Sequence, residues 1–500
     1  MQTGFGRDDS DGAVKMNDPL EIELKLEFDP DARARLERLT PFKGTTAARD
    51  QLVSTYFDTA ARDLHAAGYT LRVRRQGDRR IQTIKAEGEA GAGLFVRPEW
   101  EREIEGDVPV IDAASGPIEQ LAEARPLAPQ FVSDVARRSR QLSFNGAEIE
   151  VAIDVGEVRA GTAVQPLAEV ELELKGGSAE ALFALARRIN QKVPLRLGVR
   201  SKSERGHALV SGADGRSVKA EPVQLDPTAD PRAAFATVAG ACLRQFRLNE
   251  ALLMESGGAA PLHQCRVGLR RLRSAFSLFK PLLADDTRAG VLRAELRWLA
   301  SELGEVRNLD VLVERVDAGA RDRIVQARAR AFTHARGELT ALRTRLLMID
   351  LSEWLAIGDW RRRATVPIGI EPTIQSFAAT LLDRHRKRLK RRGKGLADLV
   401  DEQRHEVRIE AKKLRYATEF FATLWTGKRA RRRHATLSDA IVGLQEHLGE
   451  LNDHATGVEV LANLGIDATL PSLGKNERRR HLAKAEDAYD RLMDTKCFWR

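Results

Sequence analysis

The sequence predicts two domains, an antiparallel β-rich domain followed by an all-α domain with an internal duplication. Charged and apolar residues alternate along several N-terminal segments, as in strands that face a polar compartment. A stretch rich in proline and glycine follows, and beyond it Leu, Ala, Arg and Glu recur at helical spacing. Five hundred residues also exceed what one ordinary hydrophobic core organises. The expected boundaries are a disordered tail at 1–19, the β-rich domain at 20–210, a linker at 211–230 and the helical domain at 231–500.

Strict alternation marks the first predicted strand, Glu21–Glu27, which would send its four charged side chains to one face. The same pattern recurs in Leu71–Arg74, Thr83–Lys85, Arg97–Glu101 and Glu169–Glu173. Turn residues separate these segments, and helices are expected at about Pro30–Leu39 and Ala179–Asn190. Rows of acidic and basic side chains on neighbouring strands predict a charged cavity walled by the sheet.

The composition is that of a globular chain, with 43% hydrophobic and 31% charged residues. Residues 1–19 contain four aspartates and no apolar run, so a signal peptide is not expected. No stretch reaches the roughly 18 uninterrupted apolar residues of a membrane span, so a membrane partner is not expected either. The three cysteines are widely spaced and show no metal-ligand pattern. A reducing cytoplasm is the expected location.

The two predicted domains differ in charge. Residues 1–210 carry a net charge of −4, whereas the remainder carries +13. A basic half of this size attracts a polyanion, which could be nucleic acid, an anionic membrane surface or inorganic phosphate chains.

An internal repeat is the strongest signal in the helical half. The segment His263–Arg273 returns as His405–Arg415, and each copy is followed by a Leu-Gly-Glu motif. Two copies of one helical unit explain both matches. The motifs lie at Leu303–Glu305 and Leu448–Glu450, and the expected repeats are about 240–316 and 375–462.

Each repeat predicts a helix with one apolar face and one cationic stripe. Such stripes are commonly solvated surface, but the return of the same His and Arg positions in both copies favours a function. Stripes that face each other would form a groove suited to a long, flexible polyanion. The stripe residues are His263, Arg266, Arg270 and Arg273 in the first copy, and His405, Arg408, Lys412 and Arg415 in the second.

Phosphate chains without bases fit this half better than nucleic acid does. Aromatic residues make up only 5% of the chain, and those near the stripes, such as Phe276 and Phe279, fall on the apolar face. Platforms on which bases could stack are therefore not predicted. The sequence also shows no zinc-finger spacing and no convincing helix-turn-helix or RNP-type signature. Nucleic acid is not an expected partner.

Two family resemblances follow from these residues. The repeated His-x-x-Arg-x-x-x-(Arg/Lys)-(Arg/Lys)-Leu-Arg motif resembles the CHAD domain, an all-helical duplicated unit associated with polyphosphate binding. The Glu-x-Glu-x-Lys motif at Glu21–Lys25, with Tyr56–Thr59, Leu71–Arg74 and Glu169–Glu171, resembles the CYTH or triphosphate tunnel metalloenzyme family. CYTH followed by CHAD is itself a family arrangement whose enzyme is typically an inorganic triphosphatase. The resemblance implies an eight-stranded antiparallel β-barrel, the triphosphate tunnel, before the helical bundle.

This resemblance implies metal-dependent hydrolysis of inorganic triphosphate to pyrophosphate and orthophosphate by in-line attack of water. A triphosphate carries about four negative charges, so cations must line its site and hard divalent ions, Mg²⁺ or Mn²⁺, must neutralise the rest. The candidate clamp cations are Lys25, Arg72, Arg74, Lys85, Arg137 and Lys202. Glu99 and Glu101 are candidates for orienting water or the cations. The candidate metal ligands are Glu21, Glu23, Asp154, Glu169 and Glu171.

Several alternatives stay open at this stage. Glu173 could replace Glu169 as a ligand, and a general base is not assignable. The charged rows could instead be cross-strand ion pairs that only stabilise a barrel. Other CYTH chemistry, thiamine triphosphatase or adenylate cyclase, also fits, as does a non-catalytic protein of polyphosphate granules, to which the second domain would bring the chain.

Overall fold

A closed antiparallel β-barrel is followed by a helical region in the computed structural model, which confirms the predicted fold class. The structure describes residues 20–42, 44–123, 125–362, 371–466 and 474–500. The predicted disordered tail at 1–19 lies outside the described residues.

The barrel is built from long antiparallel strands. The described strands are β1 (Leu20–Glu27), β2 (Ala48–Thr59), β3 (Tyr69–Gln76), β4 (Arg79–Ala86), β5 (Glu89–Gly91), β6 (Leu94–Ile104), β7 (Leu127–Phe144), β8 (Ala147–Ala160), β9 (Ala163–Gly176) and β10 (Arg196–Leu197). Eight of them run in the order β1-β9-β8-β7-β2-β3-β4-β6, and a pairing between β6 and β1 closes the ring. The two short strands extend the sheet, β5 beside β6 and β10 beside β1.

Five short helices accompany the barrel in the described residues. They are α1 (Arg33–Glu37), α2 (Asp63–Ala66), α3 (Glu119–Glu123), α4 (Glu180–Asn190) and α5 (Lys202–Val210). The helix expected at Pro30–Leu39 is a 3₁₀ turn that continues into α1, and the second expected helix is α4.

Alternation along the strands separates a charged interior from an apolar exterior. Leu24 of β1 and Leu172 of β9 are fully buried in a core that also contains Leu182 of α4. Glu23 and Lys25, which flank Leu24, line the inside of the barrel instead. A strand places successive side chains on opposite faces, so this one pattern fixes both the outer core and the inner wall.

Ten α-helices form the described part of the second region. They are α6 (Pro231–Ser256), α7 (Ala259–Leu278), α8 (Thr287–Val313), α9 (Ala318–Thr340), α10 (Leu342–Ile357), α11 (Asp359–Arg362), α12 (Ile374–Arg392), α13 (Asp401–Phe420), α14 (Lys428–Asn463) and α15 (Lys475–Asp494). Each copy of the repeat places its His-Arg motif on one helix and its Leu-Gly-Glu motif on the next, α7 and α8 in the first copy, α13 and α14 in the second. No helix among the described residues has both the length and the apolar character needed to cross a membrane.

An aromatic cluster occupies the core of the helical region. Phe235 of α6 packs at ring-centroid distances of 5.2–5.9 Å against Phe276, Phe279, Trp354 and Trp360. Phe276 and Phe279 are fully buried, as the predicted apolar face of the first repeat requires. Aromatic contacts of this kind contribute about 0.5–1.5 kcal/mol each beyond the area that they bury.

The segment between the domains, 211–230, contains no helix or strand but lies along the helical region. The side chain of Asn249 exchanges two hydrogen bonds of 2.9 Å with the backbone of Val218. Thr423 donates to the carbonyl of Val223 at 2.7 Å. These contacts attach the segment to the helices along much of its length.

The two domains also meet directly, where α4 of the barrel domain packs against α10. Arg187 of α4 donates to Asp350 at 2.8 Å and to Glu353 at 2.6 Å. Arg345 of α10 donates to the side chain of Asn190 at 2.7 Å. Their relative position therefore depends on a packed interface as well as on the connecting segment.

The barrel wall predicts a test of its packing at Gly156. A Cβ on Gly156 of β8 would lie 2.0 Å from the carbonyl oxygen of Asp134 on β7. Because backbone cannot yield there, Gly156→Ala should lower the free energy of unfolding by about 1–3 kcal/mol. A Cβ on Gly176, at the end of β9, would have no neighbouring side chain or backbone within 4 Å. Gly176→Ala should therefore change the free energy of unfolding by less than about 0.5 kcal/mol. Urea unfolding followed by tryptophan fluorescence measures both, and equal stabilities would contradict the close packing of β7 on β8.

Candidate functional site

The barrel encloses a cavity of ≈ 280 Å³ whose wall consists mostly of charged side chains. All the predicted clamp and water-orienting residues line it. They are Lys25, Arg72, Arg74, Lys85, Glu99, Glu101, Arg137 and Lys202. Of the predicted metal ligands, Glu21, Glu23 and Glu171 line the cavity, whereas Asp154 and Glu169 are 0% and 1% exposed and contact the cations of the wall. The structure thus brings both predicted sets into one place.

Strand register assembles these side chains into rows. Arg137 of β7 lies opposite Asp154 of β8, which lies opposite Glu169 of β9. On the other arc of the barrel, Arg72 of β3 and Glu101 of β6 lie on either side of Thr83 of β4 in the same way. Directly opposed side chains are close enough to interact, so each row mixes cation, acid and hydrogen-bonding groups.

Lys202 is the centre of the acidic side of the cavity. Its ammonium group lies 2.5 Å from Glu169, 2.8 Å from Asp154 and 2.8 Å from Glu171. Burial alone would lower the pKa of Lys202, but these three carboxylates outweigh burial and raise that pKa well above its usual range. Lys202 is the first residue of α5, whose N-cap Ser201 and N3 residue Glu204 form a reciprocal capping box. A helix N-terminus therefore delivers this lysine into the barrel.

Arg137 and Lys25 complete the ion pairing of the same acids. The guanidinium of Arg137 binds Asp154 in a bidentate manner at 2.8 and 2.6 Å and reaches Glu171 at 2.5 Å. Lys25 contacts Glu171 as well and lies 2.9 Å from Glu23. Although burial raises the pKa of Glu171, Lys202, Lys25 and Arg137 lower it well below its usual range. Glu171 is therefore ionised and paired with three buried cations.

Glu21 and Glu23 of β1 form a second acidic group with different partners. Lys85 lies 2.7 Å from Glu21, and Arg97 lies 3.0 Å from both glutamates. Burial opposes ionisation of Glu21, but Lys85 and Arg97 lower its pKa nevertheless. Lys85 also lies 3.0 Å from Glu99, which connects this group to the next row.

The positive charges of Arg72 and Arg74 lie farther from the carboxylates of the cavity wall than the charge of Lys202 does. Arg72 lies 3.7 Å from both Glu99 and Glu101, longer than the contacts on the acidic side. Burial, Arg72 and Arg137 together lower the pKa of Arg74 to about 10. The Nε atoms of Arg72 and Arg74 are buried and donate no hydrogen bond within the described residues. Buried donors of this kind are ready to receive an anionic oxygen.

Asp154, Glu169 and Glu171 have the geometry of a metal site. In the described part of the chain they form a group in which carboxylate oxygens lie within 4.8 Å of one another. Three carboxylate oxygens suit a hard divalent ion such as Mg²⁺ or Mn²⁺. Glu21 and Glu23 lie outside this group, and so does Glu173, whose carboxylate pairs with Lys175.

Some residues of the cavity wall were not predicted as site residues. Arg97 shares the parity of Glu99 and Glu101 on β6, so the alternation that identified those glutamates could have identified it too. The other additions are Tyr56, Thr70, Thr83, Glu150, Lys175, Ser201 and Ser203. The two serines lie at the start of α5 and line the cavity from there. Alternation along strands cannot identify residues at the start of a helix.

A second cavity, of ≈ 290 Å³ and lined by several basic side chains, lies between α7, α8 and α13 in the helical region, and we call it the basic groove. Three of the eight stripe residues line it, Arg270 and Arg273 from the first stripe and Lys412 from the second. The groove is lined by Arg270, Arg273, Ser274 and Ser277 of α7, Arg293 and Arg297 of α8, and Ile409, Lys412, Lys413 and Tyr416 of α13. The remaining stripe residues, His263, Arg266, His405, Arg408 and Arg415, do not line this groove. Arg293 and Arg297, four residues apart on α8, were not predicted.

Of the two repeated glycines, Gly304 lies too close to a stripe arginine for a Cβ unless that side chain shifts, whereas Gly449 has room for one. A Cβ on Gly304 would lie 2.9 Å from the guanidinium of Arg266, and a Cβ on Gly449 would lie 3.8 Å from that of Arg408. Burial together with Arg270 and Arg307 lowers the pKa of Arg266 to about 10. The same helix faces therefore hold like charges close together, which a bound anion would relieve.

Comparison with known proteins agrees with these observations. Residues 19–207 match the model of the CYTH domain, and residues 237–462 match the model of the CHAD domain. An inorganic triphosphatase of Haemophilus influenzae is 33% identical over 195 residues, which are 38% of this chain and 55% of that protein. The matched part thus spans about half the length of this curated relative.

Solved structures resemble the two halves separately. The CHAD domain from the plant Ricinus communis is 26% identical, with a TM-score of 0.44 over 56% of this chain and 90% of that one. A putative adenylyl cyclase from Hippeastrum, reported to have a dominant triphosphatase activity, is 18% identical with a TM-score of 0.28 over 38% of this chain and 96% of that one. On the two family models and the fold, this chain belongs to the proteins in which a CYTH domain is followed by a CHAD domain.

Proposed function

We infer that the barrel domain hydrolyses inorganic triphosphate to pyrophosphate and orthophosphate with the help of a divalent metal ion. The observation that carries this inference is a cavity of ≈ 280 Å³ inside the closed barrel, in which buried Arg and Lys side chains surround a cluster of three carboxylates. A linear triphosphate with about four negative charges needs cations along its whole length and a metal ion for the remaining charge. The likeness of this half to an inorganic triphosphatase supports the choice of substrate.

Binding of substrate and metal requires the buried ion pairs to exchange partners. Phosphate oxygens would replace carboxylates as the partners of the guanidinium and ammonium groups. These groups include Arg137 and Lys202, which pair with carboxylates in the structure. Asp154, Glu169 and Glu171, once released, would hold the metal ion. Glu21 and Glu23 are the second candidate set of ligands. Neither exchange is favourable alone, because it would leave unpaired charge in a buried cavity.

Hydrolysis then needs only positioning and charge stabilisation. Water attacks the terminal phosphorus in line with the bridging oxygen, the P–O bond of the anhydride breaks, and the proton passes to solvent. Arg72 and Arg74 stabilise the charge that develops on the phosphoryl oxygens, and a bound Mg²⁺ or Mn²⁺ neutralises more of it. Glu101, which accepts a 2.8 Å hydrogen bond from Thr83, and Glu99 are the carboxylates placed to orient the water.

For the helical domain we infer that the basic groove binds polyphosphate. The groove combines four arginines and two lysines from three helices, and its tyrosine hydroxyl accepts a hydrogen bond from Arg270. A flexible chain of phosphates meets such a surface at many points without needing base-specific contacts. A domain of this kind would keep the protein bound to long phosphate polymers while the barrel hydrolyses inorganic triphosphate.

The first prediction concerns substrate choice. Purified protein with Mg²⁺ or Mn²⁺ should release phosphate from inorganic triphosphate in preference to ATP, thiamine triphosphate and long-chain polyphosphate. Glu171→Gln should lower kcat by about 100-fold or more, because it removes a metal ligand and a partner of three buried cations. Glu157→Gln, which changes a half-exposed partner of Arg159 on β8, is the matched control and should keep full activity. A preference for ATP or thiamine triphosphate, or equal activity in both variants, would contradict the assignment.

The second prediction concerns the pH dependence of metal binding. Burial and the nearby Glu171 raise the pKa of Glu169 in spite of Lys202 and Lys25. A carboxyl group is protonated below its pKa and then cannot bind a cation, so Mn²⁺ affinity should fall as the pH is lowered through the raised pKa of Glu169. Paramagnetic resonance of free Mn²⁺ measures this affinity. Glu169→Gln should bind weakly with a flatter pH profile, and an unchanged profile in that variant would rule out Glu169 as a ligand.

The third prediction concerns the basic groove. Arg273→Gln should weaken the binding of long-chain polyphosphate about tenfold, and binding should weaken further with added salt. Arg343→Gln is the matched control. Arg343 of α10 lies 2.7 Å from Glu295 of α8 and does not line the groove. Titration calorimetry of the full chain with polyphosphate, and with single-stranded DNA of equal charge, measures both. Equal affinities in the two variants, or tighter binding of DNA, would contradict the inference.

A further inference from the structure

Two arginines of helix α6, in the helical domain, reach the barrel segment that leads into α5. Arg247 donates from Nε to the carbonyl of Leu197 at 3.0 Å. Arg244 donates to the carbonyl of Val199 and lies 2.5 Å from the carboxylate of Glu204. The helical domain therefore holds residues 197–204 through both backbone and side chain.

The same segment carries a cation of the proposed phosphate clamp. Lys202 follows the N-cap Ser201, and Glu204 accepts a 2.7 Å hydrogen bond from the backbone of Ser201. The carboxylate of Glu204 therefore serves two donors, the cap of α5 and Arg244 of α6. Any movement of Arg244 acts on the first turn of α5 and hence on the base of the Lys202 side chain.

The segment is also confined on its inner side. The backbone N–H of Gly198 donates to the carbonyl of Lys25 at 2.8 Å, and a Cβ on Gly198 would lie 3.1 Å from the Cβ of Lys25. Residues 197–204 thus lie between β1 and α6. Arg247 is only 3% exposed, so its contact with Leu197 is shielded from water.

Arg244 further belongs to the wall of a cavity of ≈ 180 Å³ beside the tunnel. This cavity shares Lys85, Arg97, Ser201 and Ser203 with the tunnel itself. A residue of the second domain therefore stands next to the charged groups of the first.

We propose that Arg244 and Arg247 are positioning residues through which the helical domain fixes the position of Lys202 in the cavity of the barrel. The proposal rests on the proposed function for its kinetic consequences, but its structural part stands on the contacts alone. Neither arginine is assigned a contact with substrate. Their effect is indirect, because a misplacement of about 1 Å at a charged group of a catalytic site can cost about 100-fold in rate.

Kinetics of the full chain test the proposal. Arg244→Ala should lower kcat on inorganic triphosphate by about tenfold or more, with a smaller change in KM, and Arg244→Lys should restore part of the loss. In a Lys202→Ala background, Arg244→Ala should have no further effect, since two residues that act through one group are not additive. Glu204→Gln retains an oxygen for the cap but weakens the pairing with Arg244, so it should reproduce part of the loss.

Arg187→Gln provides the matched control at the same interface. It weakens the pairs with Asp350 and Glu353 of α10 but not the contacts of α6 with residues 197–204, and it should leave kcat unchanged. An equal loss of activity in Arg187→Gln would show that general docking, and not the two arginines, supports the site.

Hydrogen exchange gives a readout that needs no activity. Amide protons of residues 197–205 should exchange faster in Arg244→Ala than in the unchanged protein, and should be unaffected in Arg187→Gln. If the unchanged protein fails to hydrolyse triphosphate, the proposed function falls while the exchange data still decide the positioning role. Unchanged exchange at these amides in Arg244→Ala would overturn the proposal.

Discussion

Charge compensation inside the barrel is the constraint on which the rest of the structure depends. Buried charges cost several kcal/mol each unless they are paired and hydrogen-bonded. The cavity contains both signs in alternation, so that Lys25, Lys202 and Arg137 each meet carboxylates within ion-pairing distance. A closed barrel makes this possible, because strand register sets Arg137 opposite Asp154 and Lys25 opposite Glu171. Under the proposed function, a triphosphate and a metal ion would together replace these internal partners, so that no charge is left unpaired.

The helical domain uses the opposite arrangement. Its basic groove collects like charges near the surface, where water and salt screen them. Under the proposed functions, the groove would bind polyanions of any length, whereas the barrel cavity of ≈ 280 Å³ would take only short ones. The two domains are therefore suited to different ranges of the same chemistry. Arg244 and Arg247 of α6 connect them physically, because the domain that offers the groove also holds one wall of the tunnel.

Local periodicity explains how much of this could be predicted from the sequence. A period of two fixes which side chains share a strand face, so Lys25, Arg72 and Glu171 could be assigned to one cavity before their neighbours were known. A duplicated motif likewise indicated two helices with facing stripes. Ser201 and Arg244 could not be predicted, since their roles depend on a helix N-terminus and on domain docking, which join residues far apart in the chain. The glycines at 304 and 449 were recognised as a repeat, but the close packing of Gly304 against Arg266 could be seen only in the structure.

A crystal structure of the full chain with Mn²⁺ and a non-hydrolysable triphosphate analogue tests the central claim most directly. The account predicts an anomalous scattering peak at the carboxylates of Asp154, Glu169 and Glu171, with phosphate oxygens on Arg137 and Lys202 in place of their present carboxylate partners. Phosphates found only in the basic groove, with the Lys202–Glu169 and Arg137–Asp154 pairs of the tunnel still intact, would contradict it.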